Sequence, residues 1–197
     1  MLRVPRLLWV PLLCFMLALV GCNQPAHFNA TDVTGADWGR DFHLIDHNGK
    51  PRQLADFKGK AVAIFFGYTQ CPDVCPTTLS GMAEVTRLLG ADSGRLQVLF
   101  VTLDPERDTP AVLSRYVPAF QPDFLGLYGD LATTTATAKN FKVFFEKQPG
   151  SSPASYTLDH SSPTYLFDPQ GRLRLYVAYG TPPLKIAEDL KQLLAGK

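Results

Sequence analysis

Hydrophobic positions along this chain group into unbroken runs, helix-spaced stripes and one long N-terminal block. Residues 61–66 and 96–103 are runs of strand length, as expected for strands buried on both faces. Between them, residues 77–89 carry Leu79, Met82, Val85, Leu88 and Leu89 at helical spacing. Pro76 sits just ahead of that stripe, where a missing backbone donor costs least. Strand, helix and strand over this distance predict a right-handed βαβ unit. The same reading predicts helices over 110–120, 131–141 and 183–194, and short strands over 124–128 and 143–145. It also predicts a strand over 42–46 entering the Asn48-Gly49 turn, and a hairpin of 164–167 with 173–179. Residues 148–156, rich in Pro, Gly and Ser, read as a mobile loop. No internal repeat is present, so the expected fold class is a single α/β domain with a mixed central sheet and flanking helices.

The N-terminal block changes the picture of where this domain resides. Arg3 and Arg6 precede an apolar stretch over residues 7–20, short for a membrane span, which ends in Leu19-Val20-Gly21-Cys22. A cysteine directly after such a triplet resembles the bacterial lipoprotein signal, in which that cysteine is acylated. The alternative is a plain signal peptide or an uncleaved anchor. The expected organisation is a signal peptide over 1–21, a lipidated N-terminus and spacer over 22–38, and the folded domain over 39–197. The domain would then be extracytoplasmic, on the periplasmic side in a Gram-negative cell, and held to the membrane by lipid at Cys22. Cleavage would leave 17 basic residues against 18 acidic ones. Neither that balance nor the formal charge of +1 on all 197 residues provides a basic field for nucleic acid. A monomeric domain is expected.

Cysteine arithmetic then isolates a site. The chain has four cysteines; with Cys14 removed and Cys22 acylated, Cys71 and Cys75 are the only thiols left. They flank Pro72-Asp73-Val74 between a buried strand and a helix, where unpaired N–H groups and the helix dipole favour thiolate. The carboxyl end of a parallel strand is also where open α/β sheets place their sites. A four-residue separation near a helical turn lets both sulfurs face one way, a soft pair suited to Cu(I), zinc or iron–sulfur iron. Two sulfurs alone do not hold an iron–sulfur cluster, and a structural zinc site needs two further ligands. Of the four histidines, His27 lies in the spacer and His43 and His47 near a polar turn. His160, just before the strand 164–167, can reach the site end of the sheet. Spacing alone still leaves an ordinary loop histidine as the better reading of His160.

Three blocks add to this reading. Gly67-Tyr68-Thr69-Gln70-Cys71-Pro72-Asp73-Val74-Cys75-Pro76, the run Val101-Thr102-Leu103-Asp104-Pro105-Glu106-Arg107-Asp108-Thr109, and Asp159-His160-Ser161-Ser162 together resemble the SCO/SenC family. The resemblance spans about residues 40–195. It implies a thioredoxin-like three-layer fold and a copper ion, Cu(I) or in its other oxidation state Cu(II), held by Cys71, Cys75 and His160. It also implies delivery of copper to the binuclear copper site of cytochrome c oxidase subunit II, or to another copper-accepting protein. Two alternatives stand beside delivery: a thiol–disulfide oxidoreductase working through Cys71 and Cys75, and a redox or copper sensor. A three-residue spacer departs from the two-residue spacing of redox motifs. Pro163, before a strand, stands where thioredoxin-like oxidoreductases carry a cis-proline, which predicts a cis Ser162–Pro163 bond; a trans proline opening a strand is the alternative. Asp73, Asp104, Glu106 and Asp108 read either as a partner-docking rim or as solvated loop charges. Met82 reads as core, and Tyr68, Phe65 and Phe66 as packing near the site.

Overall fold

A computed structural model describes residues 27–151 and 155–197. The expected signal peptide, Cys14 and the expected lipidation site Cys22 lie outside the described residues. No described helix is long and apolar enough to cross a membrane.

The two apolar runs form the central strands β4 (Ala61–Gly67) and β5 (Leu96–Thr102), each buried at all seven positions. They pair in parallel, and β5 pairs in parallel with β6 (Leu125–Tyr128). Helix α1 (Val74–Leu89) makes the first crossover, burying Cys75, Leu79, Met82, Val85 and Leu89 at helical spacing. Helices α2 (Pro110–Tyr116) and α3 (Leu131–Asn140) are capped by Thr109 and Asp130, whose side chains accept the Val112 and Thr133 N–H groups. The last helix, α4 (Pro183–Leu194), packs against α1.

Strands β9 (Thr164–Phe167) and β10 (Leu173–Val177) form the predicted hairpin, with β9 antiparallel to β4. Strands β2 (Leu44–Asp46) and β3 (Pro51–Arg52) complete the far edge, and β1 (Thr31–Asp32) lies on β10. The eight-stranded order is β1-β10-β9-β4-β5-β6-β2-β3, the mixed sheet with flanking helices that was expected.

Both hairpin turns repeat one chemical device. Asp46 accepts the Asn48 and Lys50 N–H groups and Arg52 Nε, while Gly49 takes φ 82°. Asp168 accepts from the Gln170 and Arg172 backbones and from Arg172 Nε, while Gly171 takes φ 79°. The glycine supplies the positive φ and the buried carboxylate gathers the donors that the turn strands.

Helix α2 and strand β2 are shorter than expected, ending at Tyr116 and beginning at Leu44, and three further differences bear on the site. Helix α1 begins at Val74, so Pro76 lies inside its first turn; the turn tolerates this because its N–H groups have no helical partner to lose. The strand expected over 143–145 lies later, as β7 (Phe145–Gln148), and pairs with β8 (Thr157–His160), which was not expected, in a two-stranded hairpin outside the main sheet. The spacer also ends earlier than residue 38. Phe28 is buried, and the Asn29 and Ala30 N–H groups both donate to the fully buried Asp189 carboxylate of α4, at 2.8 and 2.9 Å. Residues 28–38 therefore belong to the domain.

His47 also plays a structural part. Its Nδ1 accepts the Gly126 N–H at 3.0 Å, which ties β2 to β6. Burial holds its pKa below the usual imidazole value, against an opposing pull from Asp46. The neutral ring is the one that fits, so its contribution is complete above the unfolded pKa of about 6.5 and is lost as pH falls through the depressed folded value. Denaturant titrations at pH 7.5 and 5 should show a loss of about 1 kcal/mol, one hydrogen bond's worth, which His47→Phe removes.

Candidate metal centre

The site is built where β4 runs out. Gly67 ends the strand, and its carbonyl accepts the Leu103 N–H at 2.8 Å, which locks the following loop beside the end of β5. Asp108 holds that loop from the side: it accepts the Thr69 N–H at 2.9 Å and the hydroxyls of Thr69 and Thr102, each at 2.6 Å. The loop then turns through Cys71, whose N–H reaches the Tyr68 carbonyl, and enters α1 with Cys75 in the first turn.

This path sets the sulfurs in different surroundings. Cys71 is half-buried, and its Sγ receives the Cys75 backbone N–H at 3.4 Å, a donor from the helix start aimed at the sulfur. Cys75 is fully buried, with its Sγ packed over the Cα of Gly67, where a Cβ would stand only 2.7 Å away. The expected thiolate character does not hold for Cys75 in the metal-free protein. Burial pushes its thiol far up; a backbone hydrogen bond from Tyr68 opposes this, and Cys71 and Asp108 add to the rise. A metal binding there must displace a proton.

His160 arrives from the last residue of β8. Its Nδ1 lies 2.9 Å from the Ser161 carbonyl, which can only accept, so Nδ1 carries the proton and Nε2 presents its lone pair. That Nε2 is 3.8 Å from Cys75 Sγ. Burial lowers the imidazole pKa, opposed by the Ser161 hydrogen bond and Asp159, which keeps the ring neutral at neutral pH. The rings of Tyr68 and Phe65 stand edge-on to it at 6.0 and 6.4 Å.

Cys71 Sγ, Cys75 Sγ and His160 Nε2 lie within 4.8 Å of one another, the only such cluster of three or more His, Cys, Asp or Glu ligand atoms among the described residues. Ligand bonds of about 2.0–2.3 Å to sulfur and imidazole nitrogen set three donors about 3.7–4.0 Å apart, so the widest side of the triangle closes by up to about 1 Å as a metal enters. Two sulfurs and one nitrogen, with no carboxylate, form a donor set for a soft, low-coordinate ion. His27 and His43 are exposed, and Met82 is core.

Two expectations around the site are corrected. The described residues contain no cis peptide bond, so Ser162–Pro163 is trans. Pro163 is buried and opens β9, where its missing N–H costs no ladder bond, and the imidazole of His160 occupies the place facing Cys75. Asp104 and Asp108 are not docking charges: both are 1% exposed. Asp108 staples the cysteine loop, and Asp104 accepts from Arg107 and from the Tyr156 hydroxyl. Asp73 and Glu106 are exposed, Glu106 in an ion pair with Lys147. Sequence reasoning missed Gly67, Arg107 and Tyr156 as parts of the site. Gly67 and Arg107 sat inside quoted motifs; Tyr156 carried no signal.

A family model described as SCO1/SenC matches residues 30–195. The mitochondrial protein SCO2 homolog of Mus musculus is 38% identical over 157 residues, which cover 79% of this chain and 62% of that protein. The chain thus spans less than two thirds of that relative's length. An SCO2-like protein of Rickettsia felis is 40% identical over 154 residues, covering 78% of this chain and 75% of its own. Bradyrhizobium japonicum ScoI with copper bound superposes with a TM-score of 0.73 at 40% identity, over 80% of this chain and 99% of that one. Yeast Sco1 with copper bound gives a TM-score of 0.75 at 32% identity, over 82% and 91%.

Proposed function

The chain belongs to the SCO1/SenC family, and from that premise we propose that it is a copper metallochaperone. It takes Cu(I) on Cys71, Cys75 and His160 and passes it by ligand exchange to the binuclear copper site of cytochrome c oxidase subunit II. The observation that carries this reading is the triangle of two sulfurs and one neutral imidazole nitrogen within 4.8 Å. Copper bound in the ScoI and Sco1 structures supports the identity of the ion. The family resemblance supports the recipient. The lipobox ending in Cys22 supports an extracytoplasmic domain anchored by lipid, on the side of the membrane where a dicopper recipient would be met.

Each residue has a defined part in loading and release. His160 offers Nε2 with no proton to lose, because Ser161 fixes the proton on Nδ1. Cys75 loses its proton to solvent as the ion binds its sulfur, so loading should strengthen as pH rises. Cys71, the more exposed sulfur, is the ligand an incoming thiolate can replace first.

The reduced protein should bind one Cu(I) per chain, with an X-ray absorption shell of two sulfurs and one nitrogen, and should release it to a soluble oxidase dicopper domain. His160→Ala should lose the nitrogen and about 10- to 100-fold in affinity, at least what the groups that orient a metal ligand are worth. A sulfur-only shell in the wild type sinks the assignment of His160. Binding no tighter than a competing chelator sinks the copper reading itself.

A further inference from the structure

His160 reaches the cysteines on a hairpin that pairs with no strand of the main sheet. Something else must therefore hold the imidazole at 3.8 Å from Cys75 Sγ. At the base of the hairpin, Ser161 and Phe144 bond to each other, which closes the ribbon without joining it to the main sheet. Leu158 is buried and its backbone bonds to Tyr68. The remaining tie is the most elaborate and centres on Tyr156, directly before β8.

The Tyr156 hydroxyl donates at 2.7 Å to Asp104, a carboxylate 1% exposed. The Arg107 guanidinium lies over its ring at 3.5 Å from the centroid, and the Lys147 ammonium stands at 4.6 Å. Arg107 Nη1 also donates to the Tyr156 carbonyl at 2.9 Å and to Gln70 Oε1 at 3.1 Å. One guanidinium therefore links the residue before Cys71 to the residue four positions before His160. Between Tyr156 and His160 runs an extended strand of about 13 Å at strand rise, stiff enough to carry position from one end to the other.

We propose that Tyr156, clasped by Asp104 and Arg107, is the positioning residue that sets His160 against the two cysteines. The inference rests on the copper reading above and deepens it: Tyr156 reaches the third ligand along β8, while the other arm of the clasp, Arg107 on Gln70, stands beside Cys71. The hydrogen bonds and ring contacts of Tyr156 include no ligand atom, so its effect on copper is expected to pass through His160.

The test is a double-mutant cycle in the reduced full-length protein, with Cu(I) titrated against a chromogenic chelator. Tyr156→Ala should weaken Cu(I) binding about 10-fold, within the 10- to 100-fold range for groups that orient metal ligands. Tyr156→Phe, which keeps the ring on Arg107 and loses only the hydroxyl, should cost less. In a His160→Ala background Tyr156→Ala should cost nothing further. Equal losses with and without His160, or no loss in either, overturn the proposal.

A metal-free readout judges the geometry separately. Nuclear Overhauser contacts from the His160 ring to Tyr68 and Phe65 should be present in the wild type and lost in Tyr156→Ala, while core contacts such as Phe66 to Phe141 persist. Their survival in Tyr156→Ala overturns the proposal. If wild-type protein fails to bind Cu(I), the copper reading fails and these ring contacts still decide whether Tyr156 positions His160.

Discussion

Cys75→Ser will lower Cu(I) affinity by more than about 100-fold, beyond the 10- to 100-fold that residues supporting a ligand contribute. Oxygen is a hard donor and Cu(I) a soft acceptor, so a seryl hydroxyl does not take the place of sulfur. The fold should survive, because the hydroxyl is smaller than the thiol and the change costs about 1–3 kcal/mol of buried polar surface at most. Cys71→Ser should show a comparable loss of copper with a smaller effect on stability, since Cys71 is only half-buried. Affinity and circular dichroism measured on both single variants check this. A thiol–disulfide reductase gives a different pattern: its mixed disulfide forms with the attacking thiol alone, so one of the two serine variants would keep half a reaction. Full copper affinity and hand-over in either variant would remove the paired-thiolate site from consideration.

Gly67→Ala should give the second large effect, and it comes from a residue with no functional group. The added Cβ would stand 2.7 Å from Cys75 Sγ, 3.0 Å from the Phe100 ring and 3.1 Å from the Phe65 ring. All three of these neighbours are fully buried. The two rings are packed in the core and the sulfur is at the end of a short side chain, so the sulfur moves. Overpacking of this kind costs about 1–3 kcal/mol. It more than offsets the 0.4–1 kcal/mol or so that removing a glycine's freedom from the unfolded chain returns. Copper affinity should fall by about 10- to 100-fold, the range for residues that set a ligand's position. Chemical denaturation and Cu(I) competition on the same preparation separate the two effects. An unchanged affinity would show that the sulfur has room the structure does not show.

The sheet and the sulfur pair could be read from the sequence because their signals are local. An unbroken apolar run of six residues, a helix-spaced stripe and two cysteines at a strand-to-helix junction each declare themselves within one short window. The hairpin of β7 and β8 could not, because of its eight residues only Leu158 is buried, and a ribbon outside the main sheet shows no apolar run. Asp104 and Asp108 were read as surface charge for a related reason. Beside nearby Arg107 and Thr102, their partners Tyr156 and Thr69 lie 52 and 39 residues away, and only tertiary structure supplies such distant partners to a buried carboxylate. Asp189 is the one case with an unused clue. It sits in the apolar stripe of α4 among Ile186, Ala187, Leu190 and Leu193, and a carboxylate in such a stripe calls for donors from elsewhere.

Those donors are the N–H groups of Asn29 and Ala30, and they determine how the molecule bears force. Any pull on the chain ahead of Phe28, such as a lipid tether at Cys22 would exert, enters the fold at Asp189 and at the pairing of β1 with β10. Strands β10 and β9 stand between that edge and β4, whose end seats Cys75. Tension would therefore fray the edge before it strained the copper ligands, and a tethered domain could be tugged while its cargo stayed in place.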